Sequence, residues 1–175
     1  TATSGGGIAV DLGYLTTTNV ASMWNEAVDD GGGILVTSGT LVATNTTHGG
    51  DSATSGGGLY LDSATATVMN SIIAASSSGD GIMGSSSTFT GSYNNVYNNT
   101  SSDYSGITDP TGSDGNISSD PDFTSWSDDG NYDNDDMSLG SSSNSTDAGD
   151  PDSAYDDTDG STNDQGAWGG PGGDW

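Results

Sequence analysis

The stretch Gly56-Gly57-Gly58-Leu59-Tyr60-Leu61, with Asn70 downstream, contains the pattern on which most of the chain is built. A glycine-rich turn precedes an aliphatic residue, and an asparagine follows that residue after 11 positions, or after 12 in the fourth and weakest copy. The aliphatic residues of the four copies are separated by 26, 25 and 23 positions: Ile8, Ile34, Leu59 and Ile82. A period in the twenties that is carried by short β segments predicts a solenoid.

The residues within one copy favour strands over helices. Leu59 and Leu61, and then Thr67 and Met69, alternate with other residues, so every second side chain points inward. A single coil of this kind cannot bury its apolar face, but a neighbour stacked about 4.8 Å away supplies inter-strand hydrogen bonds and an aliphatic stack. The sequence therefore predicts an all-β fold, a parallel β-helix.

The glycine runs and the asparagines have a conformational explanation. Glycine turns through positive φ without a Cβ penalty, and asparagine is the other residue that tolerates this conformation well. An asparagine side chain can also bond to the equivalent amide one coil away. We expect such an asparagine ladder at four positions: Asn19, Asn45, Asn70 and Asn94. A flexible glycine linker is the alternative, but a linker would not keep register over three intervals.

The charge balance is extreme, with 25 acidic residues, one histidine and neither lysine nor arginine, for a net charge of −25. No side chain can neutralise phosphate, so nucleic acid is excluded as a partner. The same field disfavours polyanionic substrates and acidic membrane surfaces. No stretch approaches the ~20 apolar residues of a membrane span, so membrane insertion is not expected. This charge calls for bound cations or high ionic strength.

The composition divides the chain into two regions. Residues 1–106 hold the β-helix coils, and residues 107–175 form an irregular, acidic, loop-rich C-terminal cap that we expect to pack on the solenoid. Asp-Pro pairs mark turns in the second region. Its few core candidates are Phe123, Trp126, Met137, Leu139 and Trp168.

The end of the chain carries three motifs: Asp147-Ala148-Gly149-Asp150-Pro151, Asp156-Asp157-Thr158-Asp159-Gly160-Ser161 and Asn163-Asp164-Gln165-Gly166-Ala167-Trp168-Gly169-Gly170-Pro171. They resemble the C-terminal signature of secreted bacterial right-handed parallel β-helix proteins of the choice-of-anchor type. The upstream coils are similar to the repeats of polymorphic outer-membrane proteins. The resemblance implies this architecture and an extracellular or cell-surface location, but it implies no activity. Asn144-Ser145-Thr146 departs from the apolar run usual in such proteins, and Thr162 stands where a basic residue is common.

Aspartates recur in the turns of the tail, and carboxylate oxygens are the ligands that Ca²⁺ prefers. The segment 157–160 begins like an EF-hand loop, but position 12 of that loop lacks glutamate, which excludes the motif. We predict a different Ca²⁺ site formed by Asp147, Asp150, Asp157, Asp159 and Asp164. The alternative is that these aspartates cap turns by bonding to their own backbone.

Several candidate residues carry weaker signals. Sequons predict glycosylation at Asn45, Asn98, Asn99, Asn116 and Asn144. The single histidine, His48, lies in a Gly/Thr-rich stretch and is interpreted as a surface residue. The acidic pairs Asp29-Asp30 and Asp128-Asp129 lack nearby aromatic residues, and a lyase would need a basic residue that the chain lacks. No enzymatic activity is predicted.

The sequence thus favours an extracellular structural protein, a filament or surface-layer-like subunit stabilised by cations. End-to-end self-association is expected because the first coil follows Thr1 almost directly and leaves a sheet edge without a cap. An adhesin or carbohydrate-binding stalk fragment is the first alternative, with glycans as partners. An acidic polysaccharide-active glycosidase is the second alternative.

Overall fold

The chain winds into a β-solenoid of about four coils in the computed structural model, which describes residues 2–127, 129 and 131–173. Almost every regular element is a strand, and the stacked strands run parallel, so the predicted parallel β-helix is confirmed. Among the described residues, no helix is long and apolar enough to cross a membrane.

Each coil contributes three strands. The first two coils contain β1 (Ala2–Ser4), β2 (Ile8–Asp11), β3 (Tyr14–Met23), β4 (Ala27–Asp30), β5 (Ile34–Thr37) and β6 (Thr40–Gly49). The next two contain β7 (Leu59–Asp62), β8 (Thr65–Met69), β9 (Ile72–Ala74), β10 (Ile82–Ser85), β11 (Thr88–Ser92) and β12 (Asn95–Tyr97), and β13 (Tyr104–Ser105) follows. The C-terminal region adds β14 (Phe123–Ser125), a 3₁₀ turn (Tyr132–Asn134) and β15 (Asp136–Leu139).

The strands form two long sheets along the stack. One has the order β2-β5-β7-β10-β13. The other contains β3, β6, β8 and β11, with β9 and β12 continuing the second half of β6. β1 pairs with β4 in a small parallel sheet, and β14 pairs with β15 in an antiparallel hairpin outside the stack.

The aliphatic residue of each repeat lies in one column of the core. Ile8 is in register with Ile34, Ile34 with Leu59, and Leu59 with Ile82, as the sequence pattern predicts. Tyr104 continues the column beyond Ile82, a position that the repeat does not mark. This alignment defines the fold, because each buried side chain packs on its equivalents in the neighbouring coils.

Four turn positions of every coil adopt positive φ, and each aligns with its equivalents to form a turn column. The second turn position is the seventh residue after the first, and the third is the seventh residue after the second. The fourth is the fifth residue after the third. Only the segment after the fourth position varies, which accounts for the unequal repeat lengths. The columns are Gly5/Gly31/Gly56/Gly79, Leu12/Ser38/Ser63/Ser86, Asn19/Asn45/Asn70/Tyr93 and Trp24/Gly50/Ala75/Asn98.

The predicted asparagine ladder needs one correction. Asn19, Asn45 and Asn70 share the third column with φ of 50°, 50° and 52°, but Tyr93 takes its fourth place with φ of 53°. Asn94 lies one residue later and accepts a hydrogen bond from the backbone N–H of Ser71 at 3.0 Å. The twelfth residue after the aliphatic anchor is therefore outside the column, because the turn itself falls on the eleventh in all four coils.

The C-terminal region packs on the solenoid along its flank. Residues 145–173, here called the strap, run from the fourth coil back to the first. The Asn95 amide donates to Ser145 Oγ at 2.8 Å near the beginning of the strap, and the Asn19 amide donates to the Gly169 carbonyl at 2.7 Å near its end. The β12 side of the last coil is covered instead by the chain that follows β12, where Ile117 forms a bridge with Asn95.

Candidate functional site: the two ends of the solenoid

The first coil presents an open edge. Among the described residues, β2 and β3 pair with a strand on one side only, β5 and β6 respectively. The inward side chains of this coil, Ile8, Val10 and Leu15, are only half-buried, whereas their equivalents in the second coil are fully buried. Unpaired strand edges next to apolar surface are sites of association with further strands.

Two large apolar side chains project at one corner of this edge. Leu12 is 79% exposed and Tyr14 is 69% exposed, on the turn that joins β2 to β3. Leu12 also has φ of 56°, a conformation that is unfavourable for a branched side chain. The corner therefore carries an apolar protrusion that contributes nothing to the core of this chain.

The opposite end of the solenoid carries a concave surface. A cavity of about 560 Å³ opens at the outer edge of β11 and is lined by Ser87, Thr88, Phe89, Gly106, Ile107 and Thr108. The rings of Phe89 and Tyr104 meet edge to face at 6.1 Å and close the core beneath it. This end thus offers a largely polar cavity with Phe89 and Ile107 in its lining. Within the described part of the chain, β11 pairs on one side only, whereas β13 already covers β10.

The protrusion and the cavity lie in the same columns. Leu12 shares its turn column with Ser86, and Tyr14 is in register through Thr40 and Thr65 with Thr88. A further coil stacked on β11 by the same rule would place its own Leu12 and Tyr14 above Ser86 and Thr88, at the mouth of the cavity. The two ends therefore correspond in position along these columns.

The tail brings four of the five predicted Ca²⁺ ligands around one cavity of about 320 Å³. They are Asp147, Asp157, Asp159 and Asp164, with Trp168 beside them. Asp150 lies elsewhere, and its backbone N–H donates to Asn70 Oδ1 at 2.8 Å. Within the described ranges, no three His, Cys, Asp or Glu side chains converge closely enough to hold a metal ion. The Ca²⁺ site stays a prediction.

The carboxylates of this cavity bond to the backbone. Asp157 accepts the N–H groups of Asp164 (3.1 Å) and Gly170, and Asp164 accepts the N–H of Asp147 at 2.8 Å. Several aspartates in the described part of the chain accept the N–H of the residue two positions later, among them Asp109, Asp120, Asp129, Asp136, Asp150, Asp152 and Asp159. This is the turn-capping arrangement that the sequence left as the alternative to metal binding.

Burial beside other carboxylates makes Asp164 hard to ionise. Desolvation raises the pKa of Asp164 to about 6, and the charges of Asp157, Asp147 and Asp159 act in the same direction. Desolvation also raises the pKa of Asp157. Both carboxyl groups accept hydrogen bonds that hold part of the strap in place. Their negative charges at neutral pH are unfavourable in this buried, acidic surrounding and therefore destabilise the strap.

Stability should therefore fall as Asp164 ionises. The pKa of Asp164 is higher in the folded than in the unfolded chain, so its contribution to the free energy of unfolding is greatest below about pH 4, where the carboxyl group is protonated in both states. That contribution is lost as the pH rises towards 6. We expect Asp164→Asn to flatten the fall in melting temperature between pH 4 and 7, since the amide oxygen can still accept the Asp147 N–H. Thermal melts across this range provide the measurement.

Asp159→Asn is the matched control, because the hydroxyl and N–H of Ser161 lower the pKa of Asp159. This variant should keep the fall between pH 4 and 7. Identical profiles for the wild-type protein and Asp164→Asn would contradict the assignment.

The third turn column binds the strap. The Asn45 side-chain amide donates to Asn163 Oδ1 at 2.8 Å and to the carbonyls of Asp164 (3.1 Å) and Gly166 (3.2 Å). The Asn19 amide donates to the Ala167 carbonyl at 2.9 Å. These asparagines therefore hold the strap against the flank of the solenoid. The sequence had instead predicted hydrogen bonds from one asparagine of the column to the next.

The predicted glycosylation sites differ in exposure. Asn45, Asn99 and Asn116 are buried and hydrogen-bonded, so they cannot carry a glycan in this fold. Asn98 and Asn144 are exposed. The prediction of glycosylation is thereby restricted to these two residues.

The prediction that His48 is a surface residue is wrong. It lies in β6, is 2% exposed, and its Nδ1 is 3.3 Å from Asp51 Oδ2. Asp51 Oδ1 also accepts the backbone N–H of Asn25 at 2.7 Å. The pair joins neighbouring coils in the interior. A Gly/Thr-rich stretch gave no sign of this, because β6 continues through it.

The acidic pairs considered for hydrolysis are Asp29-Asp30 and Asp128-Asp129. Asp29 and Asp30 end β4 and line none of the cavities described above or below, and Asp128 lies outside the described residues. Comparison of the chain with protein-family models, with curated proteins and with solved structures found no match in any of the three.

Proposed function

We propose that this chain is an extracellular structural protein whose solenoids stack end to end into a filament. The observation that carries the proposal is the position of the Leu12/Tyr14 protrusion in the same columns as the cavity beside β11. The resemblance of the tail to secreted bacterial parallel β-helix proteins of the choice-of-anchor type supports the extracellular location.

Such a contact joins two different surfaces, the first coil of one copy and the last coil of the next. A head-to-tail contact of this type repeats without closing unless the rotation between copies forms a ring, so it generates an open filament. Pairing of β3 with β11 would also supply hydrogen-bond partners to two strand edges, and burial of Leu12 and Tyr14 would remove exposed apolar surface from water.

Charge sets the conditions for assembly. Every copy carries a net charge of −25, so two copies repel each other over long distances at low ionic strength. At 0.15 M salt this repulsion is screened beyond about 8 Å, whereas the apolar contact is retained. We therefore expect polymers to lengthen as salt is added, which is opposite to the behaviour of an assembly held by ion pairs.

Two variants that each block one end provide the test. Leu12→Asp places a carboxylate on the protrusion, and Thr88→Asp places one at the exposed edge of the cavity. Each variant alone should remain monomeric in sedimentation velocity and electron microscopy, because every contact needs both ends. An equimolar mixture should form dimers and nothing larger, since one intact protrusion meets one intact cavity.

Val28→Asp is the matched control, because Val28 is also exposed and apolar but lies in β4, away from both ends. It should polymerise like the wild-type protein. Wild-type protein that stays monomeric at high concentration and high salt would contradict the proposal. Polymers that persist in both end variants would show that another surface assembles.

A further inference from the structure

We propose that a groove on the flank of the solenoid, beside Trp24 and Trp126, binds a neutral glycan. The groove shares no lining residue with the cavity beside β11 and contains neither Leu12 nor Tyr14, so this inference is independent of filament assembly. It begins at the fourth turn column, where Trp24 is followed by the small residues Gly50 and Ala75 and then by Asn98. The small side chain of Ala75 leaves a trough between the tryptophans and Asn98.

The aromatic wall of this trough is fixed in place. Trp24 and Trp126 stack with ring centroids 4.8 Å apart and planes 5° apart, and Tyr132 stacks on Trp24 at 5.1 Å. The Trp24 indole N–H donates to Asp135 Oδ2 at 2.9 Å. A Cβ at Gly50 would lie 2.7 Å from the Trp24 ring and 2.9 Å from the Trp126 ring, so the stack requires glycine there.

Trp24 itself adopts φ of 58°, an unfavourable conformation for an aromatic residue. Strained backbone persists where the surrounding structure enforces it, and it occurs often at binding sites. Here the strained residue forms one wall of a cavity of about 350 Å³. That volume is within the usual range for small-molecule sites.

The lining of this cavity contains no charged side chain. Beyond the two tryptophans it consists of Ala75, Ser76, Ser77, Asn98, Asn99 and Thr100. A second cavity of about 140 Å³ shares Ala75, Asn98 and Trp126 with the first and extends it past the ring. Asp120, in this second cavity, is the single carboxylate along the described lining of both. A neutral surface is unusual on a chain with 25 acidic residues.

One polar group of the groove is free for a ligand. Asn98 is exposed, and its side-chain amide makes no hydrogen bond within the described ranges. By contrast, Asn99 is buried and donates to the carbonyl of Ile73 and to Asp103 Oδ1. Asn98 therefore offers both a donor and an acceptor beside the edge of an indole ring.

These features match the chemistry of a neutral sugar. A pyranose ring has an apolar face that packs against aromatic carbon and hydroxyl groups that bond to amides and serines. Uronates, sulfated sugars and sialylated glycans carry negative charge, which the net charge of −25 repels. The two cavities share Ala75, Asn98 and Trp126 in their linings, so the groove fits a short run of an oligosaccharide better than a single sugar.

The test uses protein made in a host that does not N-glycosylate, so that Asn98 is free. Calorimetry and tryptophan fluorescence would measure binding of neutral gluco-, manno-, galacto- and N-acetylglucosamine oligosaccharides, with oligogalacturonate as the charged comparison. We expect a neutral oligosaccharide to bind and the charged one not to bind. Asn98→Gly should weaken binding about tenfold, because glycine keeps the positive φ but removes the amide bonds.

Asn144→Gly is the matched control, because Asn144 is exposed but lies away from the groove. It should leave the affinity unchanged, whereas Trp126→Ala should abolish binding. Circular dichroism would check that each variant is folded. Binding of none of the neutral oligosaccharides, binding that is indifferent to Asn98→Gly, or a preference for oligogalacturonate would each overturn the proposal.

Discussion

Leu59→Ala is expected to lower the free energy of unfolding by roughly 3–5 kcal/mol. Leu59 is 1% exposed and lies in the core column between Ile34 and Ile82. The neighbouring coils are fixed at the strand spacing, so they cannot collapse into the cavity left by the missing side chain. A domain of this size is stable by only about 5–15 kcal/mol, so the change removes a large part of the total.

Urea unfolding followed by circular dichroism measures this loss. Leu12→Ala makes the same chemical change at a leucine that is 79% exposed. It should change the free energy of unfolding by about 0.5 kcal/mol or less. The comparison uses conditions in which the protein is monomeric, because Leu12 also belongs to the proposed assembly contact. Equal losses in the two variants would contradict the stacked core.

Asn45→Gly is expected to give the second large effect, lowering the free energy of unfolding by roughly 2–4 kcal/mol. Glycine keeps the φ of 50° that the turn requires, so the change isolates the side-chain amide. That amide is buried and donates to three acceptors on the strap, which include Asn163 Oδ1 and the Gly166 carbonyl. Removal of the donor leaves these acceptors without their partner in a place that water reaches poorly.

Hydrogen exchange locates the effect. The backbone amides of residues 145–173 should exchange faster in Asn45→Gly, while those of β5 and β7 keep their protection. Asn98→Gly makes the same substitution at a similar φ of 55°, but its amide is exposed, so it should change neither stability nor exchange. A strap that stays protected in Asn45→Gly would show that other contacts hold it.

The coil architecture could be predicted because its signals are local and periodic. Glycine runs, alternating aliphatic residues and a constant turn spacing repeat within each coil, and the register of Ile8, Ile34, Leu59 and Ile82 follows from them. The exception is Tyr93. A tyrosine at positive φ has no local signature, and so the neighbouring asparagine was assigned to the turn instead.

The strap could not be predicted, because its contacts join residues that are far apart in the chain. Asn45 and Asn163 are 118 positions apart, and a periodic pattern reports only contacts between one coil and the next. The same applies to Trp24 and Trp126, which are ordinary aromatics in the sequence and form one wall of a groove in the structure. The acidic tail was recognised as a cluster, but the direction of each carboxylate depends on turns that composition does not reveal.

The constant turn spacing has a consequence for engineering. Three sides of every coil have fixed lengths, and only the side between the fourth turn position and the next first-column glycine differs, from Ala75–Gly79 at its shortest to Trp24–Gly31 at its longest. Peptides grafted into that side should leave the stack undisturbed, whereas one residue added to any other side would turn apolar side chains outward. The solenoid could therefore serve as a scaffold that displays inserted loops at regular intervals along one line.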